Sequence, residues 1–335
     1  MSTKIEWVKN PDGTKGETWN PVTGCTKVSE GCRFCYAERM AKRLAGRYGY
    51  PADEPFRVTL HPDRLEQPLH WRKPRRVFVC SMSDLFHEDV PIDFIWRVWF
   101  QMQQASLHTF QVLTKRPKRM RDFLANDAIG CPLGAPQNLW LGVTAENQEA
   151  ADKRIPLLLQ TPAAVRFVSI EPMLERVDLG FICLECNKYH HYYELYYTEG
   201  GCPTEDCEGG YYQQYKNLDW VIVGGETGPG ARPMDPAWVR DIRKQCQAAH
   251  IPFFFKSWGA WIPADQMNAE ERAAAKRSGY SHIPELVHWQ EFCEKLPDRD
   301  KRVHIWPDGS KSFNVGKKLA GCLLDERTWE EMPRA

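Results

Sequence analysis

The stretch GCTKVSEGCRFCYAE, residues 24–38, sets Cys25, Cys32 and Cys35 in C-x6-C-x2-C spacing. Thiolates are soft ligands that suit zinc, copper or iron–sulfur clusters. Three are one short of a closed tetrahedral zinc site. In a 4Fe–4S cluster, three protein thiolates leave the fourth iron open to bind something else, which accounts for the odd count. A zinc site completed by a distant His or Cys is the competing reading. A second group, Cys183, Cys186, Cys202 and Cys207, forms two pairs, C-x2-C and C-x4-C, 15 residues apart. Four thiolates so spaced suit tetrahedral Zn²⁺ in a ribbon. His190 and His191 are alternate ligands, and a second iron–sulfur cluster is the alternative. So small a Gly-rich segment needs a metal to fold by itself. Cys80, Cys131, Cys246, Cys293 and Cys322 read as ordinary thiols; Cys80 stands out because it ends a strand near the three-cysteine loop.

Those side chains need a scaffold. Short apolar runs recur at 76–80 (RVFVC), 109–113 (TFQVL), 139–143 (LWLGV), 165–170 (VRFVSI), 220–223 (WVIV) and 252–255 (PFFF), with a weaker one at 17–22. They are apolar throughout, as strands buried on both faces are. Helix-like stretches lie at 37–47, 92–106, 117–125, 147–160 and 236–250. The alternation predicts βαβ units, a parallel sheet and an α/β fold: a full or partial (βα)6–8 TIM-like barrel. In such barrels the chemistry collects at the carboxyl ends of strands. The residues that follow the runs are Ser81, Ser83, Asp84, His87 and Glu88, then Lys115, then Thr144 and Glu146, then Glu171, then Glu226 and Arg232, then Lys256 and Trp258. Helix N-capping explains Ser83 or Thr144. It does not explain Glu171, Glu226 and Lys256, which follow strongly apolar runs and are the candidate catalytic groups. Arg232 and Trp258 are expected on the substrate side.

Residues 181–215 break the rhythm, being rich in Cys, Tyr, His and Gly. They read as an insertion into a barrel of residues 1–263, followed by a C-terminal extension at 264–335. Its tyrosines (Tyr189, Tyr192, Tyr193, Tyr196, Tyr197 and Tyr211) could stack on bases. The extension is charged and expected to be helical, with β segments near 302–306 and 312–315. The chain has 335 residues, a formal net charge of zero and 12 cysteines. No apolar run approaches the roughly 20 residues that span a bilayer, so no membrane association is expected. The segment MSTKIEWVKN has no apolar signal core. Many cysteines without a signal point to metal or redox chemistry in a reducing compartment, the cytoplasm. The average charge does not favour nucleic acid. A basic first helix (Arg39, Lys42, Arg43, Arg47) and the 115–121 run supply local basic surface.

A three-cysteine loop after the first strand of an α/β barrel, with Phe34 before Cys35, resembles the radical S-adenosyl-L-methionine (SAM) superfamily. Its usual motif is C-x3-C-x-aromatic-C; here the first gap is six residues. A closer resemblance runs through TWNPVTGCTKVSEGCRFCYAE, FVCSMSDLFHE, FQVLTKRP, LGVTAEN, VSIEPM, LDWVIVGGETGPGARPM and VGKKLAGCLLDERTWEEMP. Together they look like a phage- and mobile-element-associated three-cysteine family of unknown function, grouped with radical SAM proteins. In its tail, Arg is expected at Cys322 and Gly at Glu326.

The resemblance implies Cys25, Cys32 and Cys35 as ligands of a 4Fe–4S cluster whose open iron holds SAM. It implies Phe34, Ser81, Ser83, Asp84, Lys115, Thr144 and Glu146 around that cofactor: the 81–84 loop at the SAM amino group, Lys115 at its carboxylate, and Thr144 and Glu146 at the ribose. The GGE at 224–226 looks like the superfamily's SAM-amine motif but lies late in the chain, so it is read as substrate-side. The implied activity is cleavage of SAM to a 5′-deoxyadenosyl radical that takes hydrogen from substrate. A modified pyrimidine of phage DNA is the expected substrate, rearranged or otherwise modified in host cytoplasm. Flavodoxin or ferredoxin is the expected electron donor. A non-catalytic metal-binding module that recognises nucleic acid is the alternative; a hydrolase whose metal is held by the cysteines and His87 is a third.

Overall fold

The structure is a computed structural model and describes residues 2–125, 136–186, 188–191, 194, 201–205, 207, 215–216, 218–267 and 303–333. The helix expected within 268–302 lies outside the described residues, as do Cys131, Cys293, Tyr192, Tyr193, Tyr196, Tyr197 and Tyr211.

The first strand is split. β1 (Glu17–Trp19) and β2 (Val22–Thr23) are separated by Asn20 and Pro21. Pro21 has no N–H for a ladder. The Asn20 Oδ1 instead accepts from Met82 N and Ser81 Oγ. Then come α1 (Tyr36–Arg43), β3 (Thr59–Leu60), β4 (Arg76–Val79), α2 (Ile92–Gln104), β5 (Thr109–Thr114), α3 (Pro117–Leu124), β6 (Leu139–Thr144), α4 (Gln148–Gln160) and β7 (Val165–Ile170). The insertion holds β8 (Phe181–Cys183), β9 (Tyr189–His190) and β10 (Tyr215–Lys216), which pair antiparallel in a small sheet. β11 (Trp220–Gly224), α5 (Pro236–Ala248) and β12 (Phe253–Ser257) finish the alternation. β13 (Trp261–Pro263), β14 (Val303–Ile305) and β15 (Lys311–Asn314) make a second antiparallel sheet, followed by α6 (Lys317–Ala320). α1 stops short of the expected residue 47, because Gly46, Tyr48 and Gly49 all take positive φ.

Seven strands form one parallel sheet in the order β1-β4-β5-β6-β7-β11-β12. β1 and β12 do not pair with each other, so the expected barrel is a half-barrel. One face packs on the helices through residues such as Val112, Leu141, Val168, Val221 and Phe255. The alternate residues make the inner face, an aromatic core of Trp7, Trp140, Phe167, Trp220 and Phe254. Trp7 meets Phe78 edge-on at 4.8 Å and Trp220 at 6.1 Å. Each such ring removes enough apolar surface from water to contribute on the order of 4 kcal/mol.

The open side of the half-barrel is bridged by both ends of the described chain. Glu330 pairs antiparallel with Phe254 on the outer edge of β12, with Trp329 O and Glu331 N bonded to that strand. Ser2 bridges to Glu17 on β1. Lys9 Nζ reaches Glu330 Oε2 at 2.6 Å, and Met332 packs with Trp7 in the inner core. No described helix is long and apolar enough to cross a membrane.

Candidate functional site

The three-cysteine loop leaves the sheet at its carboxyl end. Gly24 makes the exit: its φ is +83°, its N–H donates to Met82 O, and a Cβ there would stand 2.1 Å from Arg57 O. An L side chain fits neither the angle nor the space. Cys25 follows, Cys32 ends a 3-10 turn, and Cys35 caps the N-terminus of α1. All three are half-buried and none is in a disulfide. The sulfurs of a second group, Cys183, Cys186, Cys202 and Cys207, all lie within 4.8 Å of one another.

Behind Cys25 lies a hub of charge. Asp84, buried, accepts from Phe86 N and Thr114 Oγ1 on one oxygen and from Lys115 N and Arg116 Nη1 on the other. The Arg116 guanidinium also donates to Glu88 Oε2 (2.7 Å), Thr26 Oγ1 (3.0 Å), Thr26 O (3.5 Å) and Cys25 Sγ (3.6 Å). Burial, with the Asp84 charge beside it, pushes the Cys25 thiol up to about 11; Arg116 pulls the other way. His87 accepts from Thr26 N and helps shape the loop. Cys80 lies in the core with φ +58°, and burial pushes its thiol up to about 12.

The expected SAM-side residues are built in differently from one another. Ser81 Oγ donates to Asn20 and Ser83 Oγ to Val22 O, so both tie the strand ends together. Lys115 Nζ donates to Glu146 Oε2 at 3.3 Å, and Arg154 Nη1 reaches the same oxygen at 2.8 Å. Thr144 is buried at the end of β6, where its carbonyl accepts from Arg154. Glu146 is fully buried, which argues against the ribose contact expected of it and makes it the counter-charge of Lys115. Burial would raise its carboxyl, yet the charges of Lys115 and Arg154 hold it down at about 2. Gly31 of the cysteine loop crosses just above it.

The late GGE segment does not stand apart on a substrate side. It clasps the cysteine loop. Arg232 binds Glu226 through Nε and Nη2 at 2.9 and 2.8 Å and reaches Glu30 with Nη1 at 3.1 Å. Its guanidinium lies 5.6 Å from the Phe34 ring centroid, a cation–π distance. Gly230 lets that ring close in: a Cβ there would sit 3.0 Å from it, at a φ of +76°. Arg39 donates to Thr227 O, so it serves the clasp and not a solvated helix face.

Glu171 and Lys256 do meet, at 2.8 Å, on the inner face. Lys256 lies within β12, one residue pair further than the apolar run suggested. Glu171 Oε2 also accepts from Trp7 Nε1 and Ser169 Oγ. Burial works to neutralise Lys256, but Glu171 and Glu6 hold it protonated, above the usual lysine range. Trp258 corrects the substrate-side expectation. Its ring is fully buried and its Nε1 donates to Leu323 O, leaving no face for a ligand.

In the insertion, Cys183–Cys207 and Cys186–Cys202 sulfurs stand 3.7 and 3.6 Å apart. A tetrahedron with Zn–S bonds of about 2.3 Å has edges of about 3.8 Å, so the donor set fits a single ion. A 4Fe–4S cluster puts each thiolate on a different iron and needs a wider spread. Three free thiols on one loop fit such a cluster by donor chemistry, with one iron left open. His190 Nε2 lies 3.6 Å from Cys202 Sγ and 3.2 Å from Thr204 Oγ1.

Sequence reasoning set Arg116 among the strand-end residues without giving it a role, and named Glu226 and Arg232 without their clasp on Glu30. The signal for Arg116 was its place after a strand end, next to Lys115; nothing local marked the clasp, whose partners are about 200 residues apart.

The family model described as "Protein of unknown function (DUF5131)" matches residues 2–333. No curated protein matches the chain. Among solved structures, one similar to it is "Spore photoproduct lyase complexed with dinucleoside spore photoproduct", at 9% identity and TM-score 0.36 over 94% of this chain and 70% of that one.

Proposed function

The chain belongs to the DUF5131 family of proteins of unknown function, and we propose that it is a radical SAM enzyme acting on nucleic acid. One observation carries the reading: a loop of three free thiols at the carboxyl end of a parallel half-barrel, held by residues from other strand ends. Cys25, Cys32 and Cys35 would hold a 4Fe–4S cluster, which would supply the one electron for reductive cleavage of SAM and so the radical chemistry that takes hydrogen from substrate.

The chain's own residues prepare that site. Cys25, Cys32 and Cys35 would be the cluster's ligands, and Phe34, packed against Arg232 and Gly230, fixes the loop between the last two of them. Ser81, Ser83 and Asp84 fix the adjoining strand end. Lys115, now against Glu146, offers its ammonium to the SAM carboxylate, one anion beside another on the same cation. Thr144 ends β6 beside the Glu146–Arg154 pair. Lys256 stays charged and donates, and Glu171 accepts, at the inner face where substrate would enter. Exposed Arg33 and Tyr36 in the cysteine loop and at the start of α1, with exposed Lys42, Arg43, Arg47 and Tyr48 at and after its end, suit phosphates and stacked bases. A modified pyrimidine is the proposed target, a low-potential carrier such as flavodoxin or ferredoxin the electron donor, and the reducing cytoplasm the setting. The insertion holds one Zn²⁺ on Cys183, Cys186, Cys202 and Cys207.

The test is anaerobic reconstitution with iron and sulfide, then dithionite and SAM. Broad visible charge-transfer absorption and release of 5′-deoxyadenosine are expected. No cluster overturns the proposal; a cluster without 5′-deoxyadenosine returns the chain to a non-catalytic nucleic-acid-recognition module.

A further inference from the structure

We infer that Arg116 is a positioning residue that donates an N–H···S bond to the Cys25 thiolate and raises the reduction potential of the cluster, an inference that rests on the function proposed above. The three sulfurs are not equivalent. Among the described residues, Cys32 Sγ has a neutral hydroxyl beside it, Ser29 Oγ at 3.9 Å, while Cys25 Sγ faces a guanidinium nitrogen at 3.6 Å. That guanidinium is aimed, not roaming. Its side chain is only 6% exposed and is held by Asp84 at 3.2 Å, Glu88 at 2.7 Å and Thr26 at 3.0 Å. The backbone holds it as well, because Arg116 stands at the N-cap of α3, directly after β5 and before Pro117.

Reduction adds one electron, and so one negative charge, to the cluster and its sulfurs. A fixed cation and a hydrogen bond at a ligand sulfur favour the reduced form, and hydrogen bonds to sulfur are among the levers that set such potentials. The two carboxylates on Arg116 oppose this. Asp84 is buried and organises the whole strand end, whereas the Glu88 side chain is 65% exposed and touches the guanidinium from outside. Glu88 therefore damps the effect of Arg116, and removing its charge acts in the opposite direction to removing the arginine. The electron comes from a low-potential one-electron donor; no bond to Arg116 forms or breaks.

The experiment is an EPR-monitored redox titration of the anaerobically reconstituted full chain, with dithionite as reductant. R116Q is expected to shift the one-electron equilibrium at least tenfold toward the oxidised cluster, about 59 mV. R116K keeps the charge and shifts it less. E88Q, at an exposed position that should not disturb folding, shifts it the other way. Should R116Q fail to retain iron, the sign of the E88Q shift decides. Opposite signs for R116Q and E88Q are not produced by a merely structural arginine. Potentials that match wild type in both variants, with full iron content, overturn this inference alone. A wild-type chain that takes up no cluster overturns the proposed function, and this inference with it.

Discussion

The two cysteine groups of this molecule are built on opposite plans. The insertion brings four sulfurs from a small antiparallel sheet into one knot, with pair distances of 3.7 and 3.6 Å. Its supports are local: His190, Thr204 and Glu194 lie within the same segment. The three-cysteine loop takes its supports from across the chain, Arg116 from β5–α3 and Arg232 from the loop after β11. A local knot makes a segment foldable. A loop held by several strand ends is formed only when the whole sheet is. The first plan suits a structural ion, the second the reactive centre proposed above.

The largest expected effects are those that separate the two plans. C32A should lose the cluster and all 5′-deoxyadenosine formation while keeping one zinc per chain. C202A should lose zinc and leave SAM cleavage near wild type. Metal analysis beside the cleavage assay reads both, and a single variant that empties both sites would break the comparison. Next comes R232A. It leaves Glu226 buried without its partner, which costs roughly 2–3 kcal/mol, and frees the Phe34 side of the cysteine loop. Iron should be lost to a chelator faster than from wild type, with zinc retention unchanged. Equal loss of both metals would mean that the clasp is not specific to the loop.

Acid should act on the loop's underside. The Glu146 carboxyl sits at about 2 in the folded chain, below its ordinary 4.5. Between these values the unfolded chain binds more protons, so stability rises with pH there. The contribution is fully present above about pH 4.5 and is lost as pH falls toward about 2, on the order of 3 kcal/mol. Denaturation midpoints of wild type and E146Q across that window check this; a slope that persists in E146Q would assign it to another group. The smallest effect is far from either metal. Glu326 has φ +62°, the left-handed region where the family resemblance calls for glycine. E326G should stabilise by up to about 1 kcal/mol, read as a raised Tm with both metals unaffected.

Much of the scaffold was legible because buried parallel strands are apolar on both faces: LWLGV and WVIV announce β6 and β11. The strand-end rule likewise found Glu171 and Lys256, which pair across the inner face. Burial was not legible. Trp258 and Glu146 follow strands as ligand-binding residues do, yet the tail covers one and two cations enclose the other. The clasp was invisible for a different reason. A pair such as Glu30 and Arg232 depends on how the loop after β11 folds back over that after β1, which no local pattern encodes.

The bridge across the half-barrel carries a consequence for biosynthesis. The edge of β12 and the rings of Trp220 and Phe254 are covered by residues 329–332. A nascent chain that has completed every strand of the main sheet still presents an unpaired, apolar edge until that last segment clears the ribosome. Closure therefore waits on residues 329–332, and chains stalled before residue 329 should be sticky clients for chaperones, pairing edge to edge with one another.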